Sequence, residues 1–232
     1  MWEPQIGPFV EAGYRAVRCD LRGFGESPPV PGPASDVADA VGVLDRLGIG
    51  EAAVVGASYG GQVALDLALA HPERVRALVL AGSALGGWQW SEELRRFGAR
   101  EEELLEAGDV EGAVELNVQT WVGGAAPEVQ ERVREMQRRA FELQLAAPDE
   151  AEPVEPLEPP GPPASERLGE IGCPVLVLAG ANDRADILAI ADRLSAEIPA
   201  AREHLLGGAE HLPSLEHPQH FNEVVLDFLH AA

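Results

Sequence analysis

The chain has 232 residues, enough for one sizeable domain carrying an insertion and for a real hydrophobic core. Acidic residues outnumber basic ones 39 to 17, the net charge is −22, and every basic residue is an arginine, so the surface repels a phosphate backbone and argues against nucleic acid as a partner. With 46% hydrophobic and 24% charged residues the composition is that of a folded protein, which excludes wholesale disorder, while 25 Gly and 19 Pro imply many turns.

The longest apolar run, residues 77–88, falls short of the ~20 residues that a membrane span needs. Glu3 stands where a secretory signal would have a basic region, and a cytoplasmic protein is expected. Cys19 and Cys173 lie far apart, each beside a predicted strand, and read as buried thiols rather than a disulfide or redox pair.

Short β-rich runs followed by amphipathic helices, with Gly or Pro between them, predict an α/β fold with a mostly parallel sheet flanked by helices. Residues 4–12 read as a helix stopped at Gly13, and residues 14–19 (YRAVRC) as a strand entering the loop DLRGFGES. A Pro-rich link spans 28–33. Ser35 then caps a helix whose Val37, Val41, Leu44 and Leu47 share a face, ended by Gly48. A strand at 52–55, a helix at 60–70 and a strand at 75–80 follow, the last with the continuous apolar character of a sheet covered on both faces.

From about Trp88 the pattern changes. Residues 91–145 hold no convincing strand, whereas Leu104, Val114, Trp121, Val129, Val133, Met136, Ala140 and Leu143 mark successive helices. Residues 148–163 are rich in Glu and Pro and predict an extended linker. The α/β alternation then resumes with a strand at 174–179, a helix at 187–198, a strand at 203–206 and a helix at 218–229 that turns Phe221, Val224, Val225 and Phe228 inward. The organisation expected is therefore a core of residues 1–87 and 164–232, a helical insertion at 88–147 and a linker at 148–163.

Gly56-Ala57-Ser58-Tyr59-Gly60 sits between a strand and a helix, the context that a G-x-S-x-G nucleophile turn requires. A sharp turn there strains the serine backbone, leaves no room for bulky side chains two residues away on either side, and lifts the hydroxyl to a helix N-terminus where an oxyanion is stabilised. A serine hydroxyl needs a base, and the base needs an oriented carboxylate. Asp183 follows the strand VLVLAG and His211 follows the strand EHLL, so all three candidates lie beyond the ends of parallel strands on one sheet edge, in the order Ser, Asp, His.

DLRGFGES, GASYGG, Asp183 in GAND, and GGAEHLP followed by LEHPQHFNEVVLDFL together resemble the α/β-hydrolase superfamily over nearly the whole chain. The resemblance implies Ser58 as nucleophile, His211 as general base and then acid, Asp183 as its orienter and the Tyr59 backbone N–H as an oxyanion donor. It makes the helical insertion a lid between the sixth and seventh strands of the usual eight, with Trp88, Trp90 and Trp121 lining an acyl or alcohol pocket, although the same tryptophans also suit a helical core. Relatives begin with three further strands, the third supplying a second oxyanion N–H, and this chain starts at what resembles the helix after that loop. Strand 14–19 would then have to pair with 52–55 directly, pair elsewhere, or leave its ladder unpaired. One missing oxyanion donor typically costs about 10²–10³ in turnover.

The expected function is a serine hydrolase acting on a small carboxylic ester or lactone through an acyl-enzyme, with no metal or organic cofactor. Its partner is a small-molecule substrate rather than nucleic acid or a membrane, and a homodimer stays open. Cofactor-free haloperoxidase and carbon–carbon hydrolase chemistry use the same triad, whereas dehalogenase and epoxide hydrolase relatives carry aspartate at the position of Ser58. The rival from another class is a non-catalytic remnant that keeps the triad and lacks the oxyanion loop. A metal site from His211, His217 and His220 is disfavoured for want of a supporting ligand pattern, and the acid-rich stretch 101–115 reads as a solvated helix face rather than paired glycosidase carboxylates.

Overall fold

The computed structural model describes residues 1–29, 34–146 and 161–232. The reading of 148–163 as an extended linker therefore falls outside the described residues except at its last three positions, and that of 28–33 except at its first two. Two compact units emerge: the described residues of Met1–Arg18, Ser35–Trp88 and Glu158–Ala232, and those of Cys19–Ala34 and Gln89–Leu157. The loop DLRGFGES, read as part of the core, thus groups with the helical insertion.

In the first unit, four strands, β1 (Ala52–Ala57), β2 (Val75–Ala81), β3 (Val175–Gly180) and β4 (Ala201–Leu206), form a parallel sheet in the order β1-β2-β3-β4. Around it lie α1 (Glu3–Glu11), α2 (Asp36–Arg46), α3 (Tyr59–Ala70), α7 (Ala185–Glu197), α8 (Pro213–Glu216) and α9 (Pro218–Ala231), with α4 to α6 belonging to the second unit. The pleat sorts the apolar residues of β2 and β3 onto two faces. Ala77, Val79, Leu176 and Leu178 join Phe221, Val225 and Phe228 of α9 in one cluster, and Val224 packs against its margin. Leu78, Leu80 and Val177 point the other way, where α3 and α7 pack on the sheet, and all three are at most 1% exposed. Burial on both faces is why these strands read as unbroken apolar runs.

Helix ends follow local chemistry. Ser35 Oγ accepts from the Ala38 N–H at 3.2 Å and starts α2, and Gly13 takes φ 91° beyond α1.

The predicted strand at 14–19 does not form. Its residues join no strand ladder: the Tyr14 ring stacks on His230 of α9, and Arg18 forms an ion pair with Glu3 of α1. Among the described residues no strand lies outside β1, so the segment has no neighbour to pair with, and it stays at the surface where water can satisfy its backbone groups. Cys19 is accordingly exposed rather than buried, while Cys173 is half-buried.

In the second unit, α4 (Glu92–Glu106), α5 (Val110–Val122) and α6 (Pro127–Leu145) pack successively around Leu104, Ala113, Val114 and Phe141. Arg134 and Arg138 of α6 meet Glu115 and Glu111 of α5 at 2.9 and 2.6 Å. The acidic stretch thus supplies surface ion pairs between helices, each worth little on its own.

One carboxyl lies inside the first unit with little compensation. Asp66 of α3 is 8% exposed, and burial pushes it up to about 6 while Arg167 pulls the other way. Between its ordinary value of 3.8 and about 6 the folded chain holds a proton that the unfolded chain releases, so stability falls as pH rises through that window. Asp66→Asn should therefore raise the thermal midpoint at pH 8, and the gain should shrink towards pH 4. Circular dichroism melts across this range check it, and a pH-independent offset contradicts it.

Candidate active site

The chain leaves β1 through a strained turn. Ser58 lies at φ 53° and ψ −122°, and among the described residues it is the one non-glycine with positive φ. A conformation of this kind costs about 1–3 kcal/mol and persists only where the surroundings over-determine it. They do so here: the Ser58 N–H donates to the Ala81 carbonyl at 3.0 Å, and the Ser58 carbonyl accepts from Gly61, Gln62 and Ala84. Gly56 makes the turn sterically feasible, since a Cβ there would stand 2.2 Å from the Gly60 carbonyl oxygen.

A serine at the start of a helix ordinarily caps it, but Ser58 makes no capping bond. Its Oγ stands 2.9 Å from His211 Nε2 instead. His211 Nδ1 faces Asp183, at 2.9 Å from Oδ2 and 3.1 Å from Oδ1. A carboxylate accepts, so Nδ1 carries the proton, Nε2 is left as the acceptor, and the Ser58 hydroxyl donates to it. The His211 and Asp183 side chains are 5% and 1% exposed, so the pair is shielded from competing water. Tyr59 N–H, at the first position of α3, has no carbonyl four residues back within the helix.

Asp186, three residues beyond Asp183, takes no part in this relay and accepts from Trp88 Nε1 at 3.0 Å. His204 and His220 pack edge to face with centroids 5.5 Å apart, whereas His211 meets Ser58. Trp90 and Trp121 belong to the second unit, where Trp121 packs edge-on against Phe97 at 5.4 Å. The Tyr59 hydroxyl donates to Asp36 at 2.6 Å, and burial, with that bond second, holds its proton well above the ordinary phenol range.

The loops bearing Asp183 and His211 lie almost in contact. Asn182 N–H donates to the Ala209 carbonyl at 2.9 Å, and a Cβ on Gly180 would stand 1.8 Å from the Glu210 carbonyl oxygen. Sequence reasoning missed Glu216, whose carboxylate accepts the backbone N–H groups of Glu210 at 2.7 Å and Leu212 at 2.8 Å, on either side of His211. The available signal was a carboxylate five residues beyond the histidine, just ahead of the His-Pro that opens α9.

The arrangement can activate a hydroxyl beside an electrophilic carbon. The chain belongs to the alpha/beta hydrolase family, whose sequence profile matches residues 1–224. It is similar to the 2-hydroxy-6-oxononadienedioate/2-hydroxy-6-oxononatrienedioate hydrolase of Burkholderia vietnamiensis (strain G4 / LMG 22486), with 34% identity over 97% of this chain and 79% of the relative. Among solved structures it resembles a thermophilic esterase from Thermogutta terrifontis at 26% identity and a TM-score of 0.82, covering 99% of this chain and 84% of that one. A hydrolase from Pseudomonas aeruginosa PA01 follows at 30% identity and a TM-score of 0.73, covering 97% and 84%. The chain is an alpha/beta hydrolase enzyme, and no helix among the described residues is long and apolar enough to cross a membrane.

Gly180→Ala forces the two loops apart. Overpacking of this kind costs about 1–3 kcal/mol. A lower melting temperature is expected for it, and none for Gly207→Ala, whose added methyl meets nothing within 4 Å. Thermal melts of the pair check the close approach, and equal midpoints would refute it.

Proposed function

We propose that the chain is a serine hydrolase that cleaves a small carboxylic ester or lactone through an acyl-enzyme. The observation that carries the reading is the unbroken relay from the Ser58 hydroxyl to His211 and on to Asp183, with Ser58 held out of its capping role. Ser58 Oγ attacks the carbonyl carbon as its proton passes to His211 Nε2, and Asp183 stabilises the imidazolium that forms. The oxyanion faces the Tyr59 N–H at the positive end of α3. His211 then protonates the leaving alkoxide. Water, deprotonated by the same imidazole, attacks the acyl carbon and returns Ser58 to its starting state. No step calls for a metal or an organic cofactor, and the substrate class is a small molecule.

A second reading is favoured by the relatives that are 2-hydroxy-6-oxononadienedioate/2-hydroxy-6-oxononatrienedioate hydrolases. There the bond broken is carbon–carbon, and the leaving group to be protonated is a carbon rather than an oxygen. The two readings share the acyl-enzyme and differ in what departs before it forms.

A fluorophosphonate probe should label the chain once, at Ser58, and Ser58→Ala should abolish labelling; labelling that survives the substitution refutes the nucleophile. Asp183→Asn should lower ester turnover by about 10⁴-fold, because the imidazole then adopts the wrong tautomer. Side-by-side assays with p-nitrophenyl butyrate and a 2-hydroxy-6-oxo dienedioate separate the readings. Turnover of the ester with no loss of the dienedioate absorbance supports the first, and the reverse supports the second.

A further inference from the structure

Glu216 ends the four-residue helix α8, five residues beyond His211, and takes no part in the relay. It is half-buried, and its two carboxylate oxygens are each committed to a backbone amide: Oε2 accepts from Glu210 at 2.7 Å and Oε1 from Leu212 at 2.8 Å. These amides flank His211. The opposite side of the same stretch is held by the Asp183 loop, through Asn182 N–H to the Ala209 carbonyl at 2.9 Å and the close approach of Gly180 to the Glu210 carbonyl. The backbone that bears His211 is therefore fixed through its carbonyls by one loop and through its N–H groups by one side chain.

We propose that Glu216 is a positioning residue for the His211 base: by holding the amides on both sides of His211, its carboxylate fixes the imidazole between Ser58 and Asp183. The proposal rests on the reading of Ser58, His211 and Asp183 as a catalytic relay. Charge-assisted bonds from backbone N–H to a carboxylate are roughly twice as strong as neutral ones. Burial pushes the Glu216 carboxyl up, the two amides and His217 pull it down, and Glu210 adds a like charge beside it. A helix of one turn has little use for a half-buried acid as a mere cap, since α9 follows at once.

The imidazole must stay within hydrogen-bond reach of two partners at once, and a shift of about 1 Å in such a geometry can cost about 10²-fold in rate. The test compares the full chain with Glu216→Gln and Glu216→Ala, using p-nitrophenyl butyrate kinetics, the rate of fluorophosphonate labelling, thermal melts, and the downfield proton resonance of the imidazole Nδ1–H. Glu216→Ala loses both acceptors and should lower kcat and the labelling rate by about 10- to 100-fold with KM changed less than about twofold. Glu216→Gln keeps one acceptor and should fall between Ala and the parent. In both variants the downfield resonance should move or broaden.

A folded Glu216→Ala with the parent's kcat and resonance overturns the proposal. So does a kcat loss that follows the melting temperature while the resonance stays put, because that describes a cap and not a positioning contact. Should Glu216→Ala fail to fold, Glu216→Gln decides on the same two readouts. A parent chain that neither labels at Ser58 nor turns over any ester defeats the relay reading itself, and that outcome is distinguished by failing before any variant is compared.

Discussion

Distance across the sheet is the constraint on which the site depends. Ser58 follows β1 and His211 follows β4, and the order β1-β2-β3-β4 puts these strands three positions apart. Neighbouring strands are spaced about 4.8 Å, so the loop after β4 has to bring its side chain back over about 14 Å of sheet edge. Five chain steps, with four residues between, lead from Leu206 to His211, a fully extended reach of about 17 Å. The loop can cover the distance only by lying flat across the end of β3. Gly180 is the residue it crosses, and the want of a side chain there lets the carbonyls of Ala209 and Glu210 pass at contact distance.

Asp183 fits the same constraint. It follows β3, the strand whose end the loop crosses, and its carboxylate meets Nδ1 while Nε2 faces Ser58. β2 contributes no side chain to the relay but supplies its floor: the Ala81 carbonyl fixes the Ser58 N–H, and Ala84 N–H fixes the Ser58 carbonyl. Strain at one residue is thus balanced by hydrogen bonds from the next strand rather than by packing of the serine side chain, which is why the hydroxyl remains available.

Much of this was legible because it follows from strand order and local chemistry. GASYGG between an apolar strand and a helix specifies the strained turn by its glycines, and the placement of Asp183 and His211 just beyond strand ends distinguishes them from Asp186 and from the histidines of α9. The helices of the insertion announced themselves by a 3.6-residue period. What failed was residues 14–19. YRAVRC has the composition of a strand, but strand propensity is mostly a statement about neighbours, and here no described strand lies beside it. The misplaced burial of Cys19 came from the same assumption. Glu216 escaped for a different reason: a one-turn helix is too short to leave a period, and a carboxylate that binds only backbone has no partner residue in the sequence to point to it.

The same geometry explains why backbone contacts, rather than apolar packing, set the precision of the relay. The cores on the two faces of the sheet thin out past the strand ends, where Leu80, Leu178 and Leu206 give way to loops in which Ala209 still belongs to the cluster packed on α9. Beyond them glycines and polar residues alternate with a few buried apolar ones such as Ala209, so shape alone interlocks little of the loop. Hydrogen bonds between loops replace packing there, and each is worth only about 0.5–1.5 kcal/mol net. Three or four acting on one short segment still suffice, because they share the entropy of ordering that segment once rather than each meeting it anew. The stretch 207–212 is accordingly anchored both by Ala209 in the apolar cluster and by the hydrogen bonds that the Asp183 loop and Glu216 make to its backbone.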